Sequence, residues 1–293
     1  MNATKISLGT VQFGMDYGIN STGGQVKSSE VIDVLDYAQQ CGINLLDTAP
    51  SYGNSEQVLG DSNIQNFKIV TKTRHFGQTK ISDKDVTLLI SDLNQSLQLL
   101  KQKSVYGVLV HNANDLFKPG ADKIFRQLEL LKEQGLASKI GVSVYGYEQL
   151  EIILNNFDID LVQLPFNILD RRLVDSGMFK MLKNKGVEIH ARSIFLQGLL
   201  LMDTQNRASK FDHWKGLWKI WHEWLNDNKI TALEAAIRCA ISIPEISKVL
   251  VGVDTKDQLK EIIIASDGFL PDIPPELHIN DVNLLNPSNW DKL

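Results

Sequence analysis

Along the chain, short runs of consecutive apolar residues alternate with longer stretches in which apolar residues recur every three or four positions. The short runs are Lys5–Gly9 (KISLG), Ile43–Asp47 (INLLD), Phe67–Lys72 (FKIVTK), Val105–His111 (VYGVLVH), Lys139–Ser143 (KIGVS), Asp160–Leu164 (DLVQL), Val187–Arg192 (VEIHAR) and Lys248–Gly252 (KVLVG). Near-continuous apolar character over so few residues suits strands buried on both faces, as in a parallel sheet covered by helices. Between the runs a helical period appears. Asp83–Leu100 carries Val86, Leu89, Ile90, Leu93, Leu97 and Leu100, and SSEVIDVLDYAQQCG carries Val31, Leu35 and Ala38 between a serine cap and Gly42. ADKIFRQLELLKEQG, YEQLEIILNN, SGMFKMLKNKG, TALEAAIRCAIS and TKDQLKEIIIAS read the same way. This alternation predicts an α/β protein, a (β/α)8 TIM barrel forming a single domain over residues 1–293. An open doubly wound sheet is the alternative, but no GxGxxG follows the first strand.

Two regions exceed the repeating unit: an insertion at about 199–228 after the seventh strand, and a polar, proline-bearing C-terminal tail at 267–293. Extensions of this kind pack over barrel sites and are candidate substrate elements. At 43% hydrophobic and 22% charged residues, the composition is that of a globular protein and excludes disorder. A formal net charge of -5 and a pI near 5.7 offer no field for nucleic acid or an anionic membrane, so neither is an expected partner. The start MNATKISLGTVQFG has no basic segment leading into an apolar core, and no run approaches the ~18 apolar residues of a membrane span. A soluble, cytoplasmic protein is expected. Cys41 and Cys239 stand apart without CxxC spacing and are expected to be buried thiols, with neither a disulfide nor a metal site.

In such a barrel, chemistry sits at the carboxyl ends of the strands. Asp47 ends the second run, Tyr52 follows in the glycine-containing turn of CGINLLDTAPSYGNSE, Lys72 ends the third run and His111 the fourth. Each has a plain structural explanation alone: a helix cap for Asp47, a turn aromatic for Tyr52, a solvated charge or Schiff-base lysine for Lys72, a core histidine for His111. Together the four suit proton donation to a carbonyl. A phenol titrates near ~10, a neighbouring ammonium favours its phenolate, a carboxylate keeps that ammonium charged and aimed, and an imidazole orients the carbonyl or helps shuttle the proton. A positioned acid contributes ~10²- to 10⁴-fold in rate but supplies no electrons, so a hydride cofactor is expected beside it.

LLDTAPSYGNSE, IVTK and VLVHN resemble signatures of the aldo-keto reductase superfamily, and the likeness is collinear from LGTVQFG to VLVGVDTKDQL. That resemblance implies a catalytic tetrad of Asp47, Tyr52, Lys72 and His111, with Tyr52 the general acid. It also implies a cofactor groove formed by Thr10, Asp47, Ser143, Gln163, Arg192, Ser193, Phe195, Gly198, Gly252, Thr255, Lys256 and Gln258. Ser143, in GVSVY, and Gln163 would hold the nicotinamide carboxamide, with Val144 standing where the family has asparagine. Arg192 falls where many members stack an aromatic ring, a place its planar guanidinium also suits. Ser193, Phe195 and Gly198 would cross the pyrophosphate. VGVDTKDQLKE would surround the adenosine phosphate at a helix start. Gly252 and Gln258 replace residues that are often basic, which leaves Lys256 as the nearby cation. NADP(H) is the cofactor the resemblance implies, with NAD(H) the alternative.

LGTVQFGMDYGI and NILDRR are similar to members associated with bacterial sugar and surface-polysaccharide pathways, which implies an aldehyde or ketone substrate derived from a sugar. A redox-sensing regulatory subunit, like the potassium-channel beta subunits of this superfamily, and a lyase using Lys72 as nucleophile are the competing functions. In HWKGLWKIWHEWL, Trp214, Trp218 and Trp221 fall with Leu217 and Leu225 at helical spacing; Trp218 and Trp221 are expected in the core, and Trp214 is the candidate to face a sugar. His213 and His222 are expected at the surface. Asp170, Arg171 and Arg172 read either as a solvated pair or as contacts to an anionic substrate.

Overall fold

The structure, a computed structural model, describes residues 2–19 and 24–293. Eight strands are present where the apolar runs predict them: β1 (Ile6–Gly9), β2 (Leu45–Asp47), β3 (Lys68–Lys72), β4 (Val105–Val110), β5 (Ala137–Ser143), β6 (Leu161–Pro165), β7 (Glu188–Arg192) and β8 (Lys248–Gly252). They pair in parallel, each with the next, and β8 closes on β1. Helices follow the strands and carry the main core on their inner faces.

Local chemistry explains where helices begin and stop. Asp83–Leu99 starts on a capping box in which Asp85 Oδ2 accepts from Ser82 N at 2.8 Å and from its hydroxyl at 2.6 Å. Ala232–Ser242 uses Thr231 and Glu234 in the same way. Ser28–Gln40 differs from expectation, because Ser28 is already helical and Lys27 holds the cap position without a side-chain bond.

Alternation along the strands divides the barrel interior into layers. Leu45, Val70, Leu109, Leu161 and Leu250 form a small apolar cluster of their own. One period earlier lie Lys68 and Lys248, with Lys139 and Glu188 in the same lower layer. There Glu188 accepts from the Tyr106 hydroxyl at 2.6 Å, from Lys139, and lies 2.8 Å from His190 Nε2. Burial pushes the Glu188 carboxyl up, but these three bonds outweigh it and hold the group below the ordinary range. One period later along the strands stand Asp47, Lys72, His111, Gln163 and Gly252, with Ser143 paired to Gln163 in register. The upper layer is therefore where the candidate chemistry collects.

After β7 the chain forms short 3-10 turns and then the helix Lys215–Asn228. Trp218, Trp221 and Trp224 on that helix are all buried. Trp214 is taken by the tail, its Nε1 donating to Asp281 Oδ2 at 3.0 Å. The tail closes on this segment: Trp290 is 3% exposed, stands edge-on to Phe211 at 5.0 Å, and its carbonyl accepts from Lys210 at 3.0 Å.

Three further expectations change. Cys41 is only half-buried, because it sits past the last turn of its helix, whereas Cys239 is buried. His222 is half-buried against Arg207 at 3.2 Å. Asp170 is buried rather than solvated and takes two bonds from Arg172, at 2.8 and 2.7 Å. Among the described residues no helix is long and apolar enough to cross a membrane.

Trp290→Ala removes the tail's largest anchor, a change worth ~3–5 kcal/mol for a buried tryptophan. Limited proteolysis should then cleave within residues 275–293 far faster than in the wild type, while far-UV circular dichroism stays near the wild-type spectrum.

Candidate active site

Asp47 caps no helix. Its Oδ1 accepts from Lys72 Nζ at 2.6 Å and its Oδ2 from Gln163 Nε2 at 2.7 Å, so both oxygens are engaged. Lys72 Nζ donates also to the Thr48 carbonyl at 2.9 Å, and the lysine side chain has no solvent exposure. A buried ion pair is tolerable only when its remaining hydrogen-bonding capacity is filled. Burial pulls the Lys72 ammonium down, yet the Asp47 charge and then Tyr52 outweigh it and hold the group above its usual range. An ammonium so engaged has no lone pair for imine formation, which argues against the lyase reading.

Tyr52 is set beside this pair by a backbone contact that only glycine allows. At Gly53, φ is +58°, and an added Cβ would lie 2.1 Å from the Gly14 carbonyl oxygen; one at Gly14 would lie 1.8 Å from that of Tyr52. The glycine in the turn thus lets the β1 loop press against the tyrosine loop. The Tyr52 ring stands 4.8 Å from Lys72 Nζ and 5.9 Å from the His111 ring, edge to face. His111 is pushed down to about 3 by burial first, and then by the positive charges of Lys72 and Arg192 and by His75. Its imidazole is therefore neutral across the ordinary pH range, with one nitrogen a donor and the other an acceptor. Asp47, Lys72 and His111 from the ends of β2, β3 and β4, and Tyr52 from the loop after β2, do converge on one patch.

The other cofactor candidates stand at or just after the carboxyl ends of β1, β5, β6, β7 and β8. Thr10 is fully buried, its hydroxyl donating to the Asp47 carbonyl at 3.0 Å and lying 2.9 Å from Ser55 Oγ. Ser143 Oγ lies 3.5 Å from Gln163 Oε1. Arg192 is stacked, but on a residue that strand-end reasoning passed over: its guanidinium lies 4.4 Å from the Tyr145 ring centroid and donates to the Val144 carbonyl at 3.0 Å. Ser193, Leu196, Gln197 and Gly198 all have positive φ, at 61°, 46°, 53° and 94°. Left-handed residues so concentrated store strain and are a mark of ligand loops. Phe195 is half-buried within this loop. Gln197 Nε2 donates to the Tyr17 hydroxyl at 3.0 Å, joining the β7 loop to the β1 loop. Tyr17 also escaped the sequence analysis, since nothing in a loop's periodicity signals it.

Beside the end of β8, Gln12 packs on Gly252, where an added Cβ would meet its Nε2 at 2.4 Å, and Gln12 Oε1 is buried without a partner among the described residues. Thr255 caps the helix Lys256–Ala265 by accepting from Gln258 N at 3.2 Å, and Gln258 Oε1 accepts from Asp254 N at 2.7 Å. Lys256 directs its Nζ over Tyr37, 5.8 Å from the ring centroid. To a nicotinamide dinucleotide, were one bound, these residues would offer Ser143 beside Gln163, a strained loop after β7 and a buried acceptor on Gln12.

The Aldo/keto reductase family pattern matches residues 5–272. A similar protein is the NADH-specific methylglyoxal reductase of Escherichia coli, 26% identical over 217 residues; the match covers 67% of this chain and 65% of that one. L-galactose dehydrogenase of Arabidopsis thaliana is 25% identical over 280 residues, 89% of this chain and 85% of its own. Among solved structures, the holo form of an aldo-keto reductase from Bacillus halodurans superposes with a TM-score of 0.72 at 21% identity, covering 92% of this chain and 88% of that one. The chain thus belongs to the aldo/keto reductase family, a family of NAD(P)-dependent oxidoreductases.

Proposed function

We propose that this protein reduces an aldehyde or ketone, one carried by a sugar-derived molecule, to the alcohol, with Tyr52 as the general acid. The observation that carries the reading is the buried Lys72–Asp47 pair lying against Tyr52, with a neutral His111 also beside the ring. When bound, a nicotinamide would supply the hydride that the carbonyl carbon needs. Tyr52 Oη gives its proton to the carbonyl oxygen, and the Lys72 ammonium stabilises the phenolate left behind. Asp47 keeps Lys72 charged throughout. His111 donates one hydrogen bond to the same oxygen without competing for the proton, because its imidazole stays neutral. Hydride and proton together convert C=O to CH–OH, so the step balances. Ser143, Gln163 and Arg192 would hold the nicotinamide end of such a cofactor, and Ser193 to Gly198 its pyrophosphate. The sugar-derived substrate draws support from the L-galactose dehydrogenase relative and from the NILDRR segment beside the mouth.

The direct test is oxidation of NADH and NADPH with a panel of aldehydes, ketones and sugar derivatives. Tyr52→Phe should lower kcat by ~10²- to 10⁴-fold while cofactor binding changes less than about twofold. Turnover that survives the substitution would refute Tyr52 as the acid.

A second expectation concerns pH. An unfolded imidazole titrates near 6.5, whereas folded His111 titrates at about 3, so between those values the unfolded chain binds the extra proton. His111 therefore contributes stability above pH 6.5 that is lost as pH falls toward 3. Over that window the unfolding free energy of His111→Gln should fall less steeply than that of the wild type, by up to ~1 kcal/mol per pH unit in denaturant titrations.

A further inference from the structure

The segment after β8 presents the start of a ten-residue helix, Lys256–Ala265, in the place where barrels commonly bind phosphate. Here an acidic side chain already holds part of that helix start. Glu30, on the helix Ser28–Gln40, reaches across so that its Oε1 accepts from the Lys256 backbone N–H at 2.8 Å. A second amide, that of Gln258, is spent on the Thr255 cap. Asp254 precedes the cap. Burial holds its carboxyl above the usual aspartate range, Gln258 pulls it down, and the neighbouring Asp16 pushes it up again, so a further carboxylate stands close by. Lys256 is the one cation in the sequence from Gly252 to Leu259, and its Nζ lies over Tyr37. A phosphate monoester arriving here would have to displace Glu30 from its amide and would meet carboxylates where it needs cations. A hydroxyl would meet none of that cost, since a carboxylate accepts its proton.

Resting on the cofactor reading above, we propose that Glu30 is a specificity-determining residue that makes the chain select NADH over NADPH. The selection works against the 2′-phosphate, through the occupied Lys256 amide and the charge of Glu30 reinforced by Asp254, rather than through an added contact to the nicotinamide end. This departs from the NADP(H) preference implied by the sequence resemblance. The reason is that the partner of the Lys256 amide lies 226 positions away in the chain, where no motif signals it.

The test is a pair of fluorescence titrations, NADH and NADPH, with the wild type and Glu30→Gln, needing no substrate. Glutamine retains an oxygen for the Lys256 amide while removing the charge. The wild type should bind NADH at least about tenfold more tightly than NADPH, and Glu30→Gln should tighten NADPH by about fivefold or more with NADH changed less than about twofold. In the wild type alone, raising salt should shrink the preference, because screening weakens the repulsion. NADPH binding as tightly as NADH to the wild type, or a preference unmoved by both the substitution and salt, would overturn the proposal. Binding of neither nucleotide would instead overturn the cofactor reading on which it rests.

Discussion

The rest of the site depends on one buried charge pair, Lys72 with Asp47. Taking two ions out of water costs several kcal/mol each, and their attraction offsets this only when every remaining donor and acceptor is filled. Here the filling comes from different strands: Gln163 from β6 on Asp47, and the Thr48 carbonyl, just past β2, on the ammonium of β3. The pair is thus a constraint on the barrel as much as a feature of the mouth. Removing either partner would strand the other charge in a dry interior. The same dryness makes the ammonium effective on the neighbouring phenol, because little water screens it.

The placement of Tyr52 follows a different physics. It rests on the steric exclusion of side chains at Gly14 and Gly53 rather than on electrostatics. The charge pair comes from strand ends, which are rigid, while the tyrosine comes from a loop, which is rigid only because a second loop presses on its backbone. The β7 loop adds a third device, holding Leu196 and Gln197 in left-handed conformations that cost of order 1 kcal/mol or more each and persist through surrounding bonds such as that to Tyr17. Cost in one loop is offset by packing elsewhere, including the tryptophan-rich helix and the tail that closes on it.

Much of this was legible in the sequence, and the reason is periodicity. Once apolar runs are strands of a closed parallel sheet, Asp47, Lys72, His111 and Gln163 must share its upper inward face, whatever their partners. Partners are another matter. The Arg192–Tyr145 stack, the Gln197–Tyr17 link, the Trp214–Asp281 bond and the Glu30–Lys256 contact all join loops or helix ends whose relative positions no local pattern encodes. Asp170 is a different case: its residue type suggested solvent, and although its bidentate partner Arg172 lies only two positions on, its burial comes from the fold.

The apolar layer of Leu45, Val70, Leu109, Leu161 and Leu250 lies between two charged ends of the barrel, the Lys139–Glu188 group below and the Lys72–Asp47 pair above. The separation is not wholly apolar: Ser7 pairs in register with Leu250, and His190, bonded to Glu188 below, pairs in register with Gln163 of the upper layer. Both are fully buried, and Ser7 Oγ and His190 Nδ1 have no partner among the described residues. A buried polar atom left unpaired costs stability, so the middle of the barrel can gain it by exchanging such a residue for an apolar one of similar size without touching the residues at the mouth.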